Sequence, residues 1–427
     1  MSCALDPALE VPTTNVSRGS SRRIACNGRR ALGVAWCAVL IGGCAALFFF
    51  RSPERHYRRA LAAMDDIRSD PNRLEAVAYE LLELSSDPAF EAQAGLLSAA
   101  LLAARGQPKA AMQEAAVAAA NPDTKIRAMV LLGQCLYDSG QFLEAGETWT
   151  KVLELDADNA DAHRWLGAAY YELGAVREAL VHLRKAAELR PHDPGPHRLI
   201  GLISVEFSEP KTAIEAYQEA LRRAPDRSDN DEVRFALAKI FYRTNRHQEA
   251  RELLLQCAPT ANILALLADC EHGLGHTERS WLVLHDALRL DPEQVRALGL
   301  KGKLLMERRH FEDAAQTLET AARLAPKDTT VLYDLGMAYR RIGQTEKATE
   351  LHKFVDRLRE LQHTYEDLSF QSIDDPRDAH IRYQLGVLAA RLDRIPLARK
   401  WLTASVRLDP TNAQAVAELE ALGPEPE

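Results

Sequence analysis

The chain has 427 residues, of which 47% are hydrophobic and 27% are charged, and its formal net charge at pH 7 is −8. This composition is typical of an ordered, helix-rich protein and excludes a chain that is disordered throughout. The negative balance argues against nucleic acid as a partner, because proteins bind its phosphates mostly through lysine and arginine.

Short motifs that signal phosphate, metal or hydrolase chemistry are absent. The sequence contains no GxGxxG, phosphate-binding loop, HExxH, CxxC or GxSxG pattern, and these patterns place backbone amides, metal ligands or nucleophiles where such reactions need them. We therefore expect no enzyme activity and no cofactor.

The amino-terminal 50 residues divide into a tail and an apolar segment. Residues 1–30 lack periodicity and are predicted to be a flexible tail, whereas the next twenty residues, ALGVAWCAVLIGGCAALFFF from Ala31 to Phe50, carry no charge. A helix of twenty residues is about 30 Å long, which is enough to cross the apolar core of a bilayer. The sequence therefore predicts one transmembrane anchor over residues 31–50.

A lipid anchor is the alternative at the same segment. The sequence Ile41-Gly42-Gly43-Cys44 resembles the lipobox of bacterial lipoproteins, in which the chain is cleaved and Cys44 is lipidated. Against it, 30 residues precede the apolar run, and the run continues beyond Cys44. Five arginines lie close before the run and four lie after it, which favours a cytoplasmic amino terminus and exported repeats.

Residues 51–91 follow with helical periodicity, and we predict a helical linker that caps the next segment. From there, small residues recur at fixed spacing. The first column contains only glycine or alanine, at Gly133, Gly167, Gly201, Ala238, Ala268, Gly302, Gly336 and Gly386. A second column follows twelve residues later, at Ala145, Ala179, Ala213, Ala250, Ser280, Ala314, Ala348 and Ala398.

Each repeated unit is predicted to be a helical hairpin. Within a unit the apolar residues recur at three and four, with a turn such as Leu173-Gly174-Ala175 between the two runs. Small residues let two helices approach closely, so Gly167 and Ala179 mark the packing line, and Leu183 fills the space beside it. Because proline cannot continue a helix, Pro191 ends the second helix.

These residues resemble the tetratricopeptide repeat family. Its pattern is matched in one unit by Leu166, Gly167, Tyr170, Ala179, Leu183, Ala186 and Pro191. The resemblance implies an all-α solenoid of about nine units over residues 92–412, wound as a right-handed superhelix with a concave groove, and a role in binding proteins. Residues 413–427 are predicted to be a capping helix and a tail.

Three departures from the family pattern stand out. The unit near Pro259 is short, and about 16 extra residues near 363–378 precede Ala379. Ser204 and Glu271 replace the usual aromatic residue.

The resemblance also implies where a ligand binds. In the family, the groove is lined by first-helix residues beside the small-residue site, and these positions are basic or aromatic here. They are Arg164, Tyr171, Arg198, Lys239, Tyr242, Lys303, Tyr333, Met337, Arg340 and Tyr383. They suit an extended, acidic peptide, with Tyr171 predicted to lie between Arg164 and Arg198.

A cysteine and histidine cluster offers a second hypothesis. Cys257, Cys270, His272 and His276 are close in sequence and could hold zinc if all four converged. Helical periodicity aims Cys270 and His272 at different faces, so we favour buried packing roles for the cysteines. The sequence therefore predicts a membrane-anchored scaffold for protein–protein interactions, with an envelope complex as the assembly that it serves.

Overall fold

The computed structural model describes residues 53–64, 71–225, 227, 229–375 and 377–423. Within these ranges the chain is all-α, which confirms the predicted fold class. The predicted tail, anchor and lipidation site, residues 1–30, 31–50 and Cys44, lie outside the described residues. In the described part, no helix is both long and apolar enough to cross a membrane.

Nine hairpins occupy described residues 91–408, and each consists of a first and a second helix. The first helices are α3 (Glu91–Ala104), α5 (Lys125–Asp138), α7 (Ala160–Glu172), α9 (Gly195–Glu206), α11 (Asn230–Arg243), α13 (Ala261–Gly273), α15 (Val295–Glu307), α17 (Thr329–Arg341) and α19 (Ala379–Arg391). The second helices are α4 (Pro108–Ala118), α6 (Phe142–Leu155), α8 (Val176–Leu189), α10 (Pro210–Arg223), α12 (His247–Leu254), α14 (Thr277–Leu290), α16 (Phe311–Leu324), α18 (Thr345–Asp374) and α20 (Ile395–Leu408).

Two further elements flank the hairpins. A preceding hairpin of α1 (Pro53–Met64) and α2 (Pro71–Leu84) packs against α3, and a 3₁₀ turn (Pro88–Phe90) joins it to the repeats. At the other end, α21 (Ala413–Ala421) packs on α20.

The hairpin turns share one backbone conformation. In each of the nine described hairpins, the second residue after the first helix has a positive φ, at Gly106, Gly140, Gly174, Ser208, Asn245, Gly275, Arg309, Gly343 and Asp393. Glycine adopts this left-handed conformation without a steric cost, whereas other residues are strained in it. The turns therefore explain five of the glycines that fall outside the packing columns.

The glycine columns confirm close helix packing and correct its detail. A Cβ added at Gly167 would lie 2.7 Å from Leu183 Cγ, so Leu183 lies directly over the glycine instead of beside the packing line. The same relation, a large side chain 16 residues later, holds at Gly133 with Trp149 and at Gly302 with Leu318. Every residue of the second column is fully buried.

The hairpins stack in chain order with their first helices on the inner side. Contacts between neighbouring first helices join α3 to α5, α5 to α7, α7 to α9, α11 to α13, α13 to α15 and α15 to α17. Each second helix instead packs between its own first helix and the next one. Because the first helices approach one another, the stack curves toward them, and they line its concave face.

The long helix α18 breaks this regularity. It runs for 30 residues, whereas most second helices have 14, so the extra residues before Ala379 continue the helix. Sixteen additional helical residues correspond to about 24 Å at 1.5 Å per residue. The last unit, α19–α20, is thereby carried away from α17, and it packs in one apolar cluster with side chains of α7, α8 and α9.

Candidate protein-binding face

The candidate site is the concave face, which we call the inner face and define by the first helices α5 to α17. Among its predicted ligand-binding residues, Arg164 on α7 forms ion pairs with Asp161 at 4.0 Å and Asp193 at 3.5 Å. Arg198 on α9 pairs with Asp229 at 2.7 Å, and Glu232 lies 3.5 Å from it. Intramolecular carboxylates therefore neutralise both arginines.

Tyr171 does not line an open groove. Its side chain is buried, its hydroxyl donates a hydrogen bond to Glu206, and the ammonium group of Lys400 lies 3.2 Å from the centre of its ring. Burial, followed by the nearby carboxylate of Glu206, raises the pKa of Tyr171 far above its ordinary value. The prediction that Tyr171 lies exposed between Arg164 and Arg198 is wrong, because the last unit covers it.

A repeated hydrogen bond joins the ends of neighbouring first helices. In each case a residue donates to a glutamate 35 positions later: Tyr137 to Glu172 at 3.4 Å, Tyr171 to Glu206, and His272 to Glu307 at 2.9 Å. Burial raises the pKa of Glu172. The inner ends of α7 and α9 are therefore acidic and aromatic, in contrast to the basic groove predicted from the sequence.

The inner face of α11 to α15 carries the opposite chemistry. Lys239 and Lys303 are exposed, and Tyr242 lies 5.6 Å below the guanidinium group of Arg296. Arg296 also donates to Asp269 at 2.9 Å. Burial, with the positive charges of Arg296 and Arg243, lowers the pKa of Lys239. This part of the face thus retains positive charge that the acidic side chains do not fully balance.

The remaining predicted residues fall in two places. Tyr333 and Arg340 are exposed on α17, where Arg359 lies 5.4 Å from the centre of the Tyr333 ring, and Met337 is half-buried between them. Tyr383 lies on α19 in the displaced last unit, beside the ring of His380. Tyr383 is therefore separated from the surface that the other residues form.

The cysteine and histidine cluster does not converge on one point. Cys270 is buried in the core, Cys257 Sγ lies 3.4 Å from the Leu253 carbonyl, and His272 bonds Glu307. His276 Nδ1 lies 2.8 Å from Glu271 Oε2. Across the part of the chain that the structure describes, no group of three histidine, cysteine or acidic side chains could hold a metal ion.

Sequence reasoning missed two sets of residues. Asp269 directly follows its small-residue site, as Lys239 and Lys303 follow theirs, so the spacing alone could have identified it. Lys400, Arg382 and Glu206 had no such signal, because their contacts join positions that are about 200 residues apart in the chain.

Comparison with known proteins places the repeats in a family. A sequence model described as "TPR repeat" matches residues 133–174, and models described as "Tetratricopeptide repeat" match residues 160–193, 205–270, 300–351 and 362–413. Together these matches cover more than half of the chain.

Several curated proteins are similar over part of their length. The chain is 35% identical over 98 residues to type IV pilus assembly protein PilF of Pseudomonas aeruginosa, a match that covers 23% of this chain and 38% of that protein. It is 26% identical over 177 residues to the BBSome complex member BBS4 homolog of Drosophila melanogaster, with 42% of this chain and 32% of that protein covered. The chain thus spans less than half the length of these relatives.

A solved structure gives the same description of the repeats. A tetratricopeptide repeat protein from Parabacteroides merdae aligns over 58% of this chain and 98% of that chain, with a TM-score of 0.40 and 16% identity. Tetratricopeptide repeat proteins bind protein partners, so a general protein-binding scaffold is the function that the fold implies. The predicted family is confirmed: the chain belongs to the tetratricopeptide repeat proteins.

Proposed function

We propose that this chain is a membrane-anchored scaffold that holds an extended, acidic segment of a partner protein against the inner face of α11, α13, α15 and α17. The observation that supports this proposal is the run of exposed cations, Lys239, Lys303 and Arg340, on successive inner helices. The last unit covers the corresponding part of α7 and α9 and leaves this part open.

The electrostatics of the open part favour a carboxylate ligand. The lowered pKa of Lys239, which results from burial and then from Arg296 and Arg243, indicates mutual repulsion among these cations. A bound carboxylate relieves that repulsion, and an arginine can hold it through two parallel hydrogen bonds. Tyr242 and Tyr333 add rigid apolar surface beside the charges.

Membrane attachment rests on the sequence of residues 31–50, whose twenty uncharged residues match the thickness of a bilayer core. The arginine balance around this segment favours exported repeats. The similarity to a type IV pilus assembly protein, 35% over 98 residues, supports a role in assembling a complex of the cell envelope.

The test uses full-length protein extracted from membranes and a fluorescent ten-residue peptide of alternating glutamate and alanine. We expect wild-type protein to bind this peptide, with affinity that falls as salt screens the charges. The double variant Lys239→Glu with Lys303→Glu should bind at least about tenfold more weakly, which corresponds to about 1.4 kcal/mol. The intact mass of the same preparation should match a chain that begins near Met1.

The matched control reverses two lysines on second helices, Lys151→Glu with Lys185→Glu, and should leave affinity unchanged. Equal affinity of both double variants for the peptide contradicts the proposed binding face. A chain that begins at Cys44 and carries added acyl mass replaces the spanning anchor with the lipoprotein alternative.

A further inference from the structure

The inner ends of α7 and α9 meet the last repeat unit across a charged contact that the repeat pattern does not require. We propose that these ends form a receptor for a basic helix, and that α19–α20 occupies it as a tethered ligand that a partner helix of the same chemistry displaces. The inference deepens the proposed function, since it rests on the inner face being a binding surface.

Lys400 on α20 is the central contact. Its side chain is only 9% exposed, and its ammonium group lies 3.2 Å from the centre of the Tyr171 ring and 3.7 Å from Glu206 Oε2. Glu172 lies close enough to act on the charge of Lys400 as well. An aromatic face and two carboxylates around one ammonium form a socket that selects lysine over neutral or acidic side chains.

Two arginines of the last unit bind the turns of successive hairpins. Arg382 donates to the carbonyl of Gly174 at 3.1 Å, and Arg407 donates to the carbonyl of Gly140 at 3.1 Å. Gly140 and Gly174 are equivalent turn residues of neighbouring units. The last unit therefore reads the regular 34-residue spacing of the first units, with one cation for each turn.

Trp401, next to Lys400, completes the contact. Its side chain is fully buried, its Nε1 donates to the hydroxyl of Tyr365 at 3.0 Å, and a Cβ added at Gly174 would lie 3.0 Å from its ring. The receptor thus fits a helix that presents a lysine followed by a tryptophan, with arginines on either side.

The contact is built for release more than for permanent packing. Arg382 is 1% exposed, yet its Nε and Nη1 atoms have no hydrogen-bond partner among the described residues, and Glu206 Oε1 has none either. Burying charged groups without full pairing costs free energy that water recovers when the contact opens. Interfaces between neighbouring hairpins are instead formed by apolar clusters such as that of Leu298, Leu318 and Leu335.

The extension of α18 makes release possible without unfolding. It places the last unit about 24 Å beyond the position that a regular repeat would occupy, by the helical rise per residue. The unit therefore lacks the close α17 contact that would otherwise hold it in the stack. Opening the charged contact leaves α19 and α20 packed on each other and joined to the solenoid through α18.

The first experiment compares full-length wild type with Lys400→Glu, which places a negative charge against Glu206 and Glu172. We expect amide hydrogen exchange in the turns at Gly140 and Gly174 to accelerate about tenfold, and the radius of gyration to increase, with helix content unchanged. Lys353→Glu, an exposed lysine on α18, is the matched control and should behave as wild type. Unchanged exchange and radius in a folded Lys400→Glu protein overturn the proposal.

If Lys400→Glu lowers the helix content, Lys400→Met replaces it, because methionine keeps much of the length and apolar stem without the charge. We expect Lys400→Met to accelerate exchange in the two turns by a smaller factor than Lys400→Glu, again about severalfold, since repulsion is absent. Exchange identical to wild type in this variant also overturns the proposal.

The second experiment tests the receptor with a synthetic peptide of residues 395–408. We expect saturable binding to full-length Lys400→Glu protein and binding at least about tenfold weaker to wild type, whose receptor is occupied. A peptide carrying Lys400→Glu is the control and should bind neither protein. Binding of the first peptide to both proteins equally, or to neither, overturns the assignment of a receptor for a basic helix.

Failure of this inference is distinguishable from failure of the proposed function. The glutamate and alanine peptide reports on Lys239 and Lys303, which lie outside the closing contact. A chain that binds this peptide but shows no response to Lys400→Glu retains the proposed function without the tethered ligand, and the reverse result shows closure without an acidic-peptide site.

Discussion

Two stretches of the inner face are built from the same repeat but differ in what covers them. At α7 and α9, Tyr171 and Glu206 are buried beneath Lys400 of the last unit. At α11 and α15, Lys239 and Lys303 occupy comparable inner positions and stay exposed. The comparison shows that position within a repeat does not decide access, because a contact with a distant unit can cover one stretch and leave the other open.

The two stretches also solve one packing problem differently. Ser204 on α9 and Glu271 on α13 both occupy the position where the family pattern has an aromatic residue, and both are buried. Ser204 leaves its space to larger neighbours, whereas Glu271 accepts hydrogen bonds from Arg251 at 2.6 Å and His276 at 2.8 Å. The covered stretch is thus stabilised by distant contacts and the open one by a buried ion network.

The largest expected effect comes from removing that network. Glu271→Ala leaves Arg251 in a mostly buried site without its carboxylate, and breaking a buried pair in this way typically costs about 3–5 kcal/mol. We expect the lower end of that range, because Arg251 keeps some access to water. Chemical denaturation should show the loss, and hydrogen exchange should localise it to α13 and α14 while the turn at Gly174 stays protected.

Its control is Glu278→Ala, whose side chain is 88% exposed beside Arg308 and should change stability by less than about 1 kcal/mol. Acidity separates the two further. Burial opposes ionisation of Glu271, but hydrogen bonds from Arg251 and His276 outweigh it and lower its pKa. Its contribution is therefore complete above the unfolded pKa of about 4.3 and is lost as pH falls through the lower folded pKa. A pH-independent effect of Glu271→Ala below pH 4 contradicts this account.

The next effect tests whether both stretches share one packing line. Gly167→Ala places a Cβ 2.7 Å from Leu183 Cγ and 3.1 Å from the Ala179 carbonyl, and Gly302→Ala places one 2.4 Å from Leu318 Cγ. Overpacking of this kind typically costs about 1–3 kcal/mol. We expect similar losses of unfolding free energy in the two variants, measured by urea denaturation.

Gly299→Ala on α15 is the matched control for these glycines. Its Cβ would meet only Val331, at 3.4 Å, and alanine favours helix over glycine by up to about 1 kcal/mol. We therefore expect unchanged or slightly increased stability. A Gly299→Ala loss as large as that of Gly167→Ala means that the column of small residues does not mark the packing line.

The smallest effect separates the covered turn from an open one. Gly174 and Gly275 have φ of +75° and +81°, so alanine at either position costs about 1–2 kcal/mol for the left-handed conformation. Only at Gly174 would the new Cβ approach Arg382 Nη2 and the Trp401 ring, both at 3.0 Å, whereas nothing lies within 4 Å at Gly275. Gly174→Ala alone should accelerate hydrogen exchange at the inner side of α19 and α20. The same acceleration in Gly275→Ala indicates a general loss of stability instead.

The hairpins, their packing line and their turns could be predicted from the sequence, because each depends on residues within one period. The step from Gly167 to Leu183 spans 16 residues, and the periodicity of apolar residues identifies both helices that carry them. Most helix ends are equally local, since Pro191 and its equivalents prevent continuation. The groove residues followed from the same register, which is why Lys239 and Lys303 lie on the inner face.

What covers that face was decided by tertiary structure. The hydrogen bond from Arg382 to Gly174 joins residues 208 positions apart, and that from Arg407 to Gly140 joins residues 267 apart. Register within a repeat carries no information about such contacts, because they depend on the accumulated curvature of the stack and on the length of α18. The same chain therefore has a sequence that specifies each unit, and a closing contact that exists only because the stacked units bring Lys400 back to Tyr171.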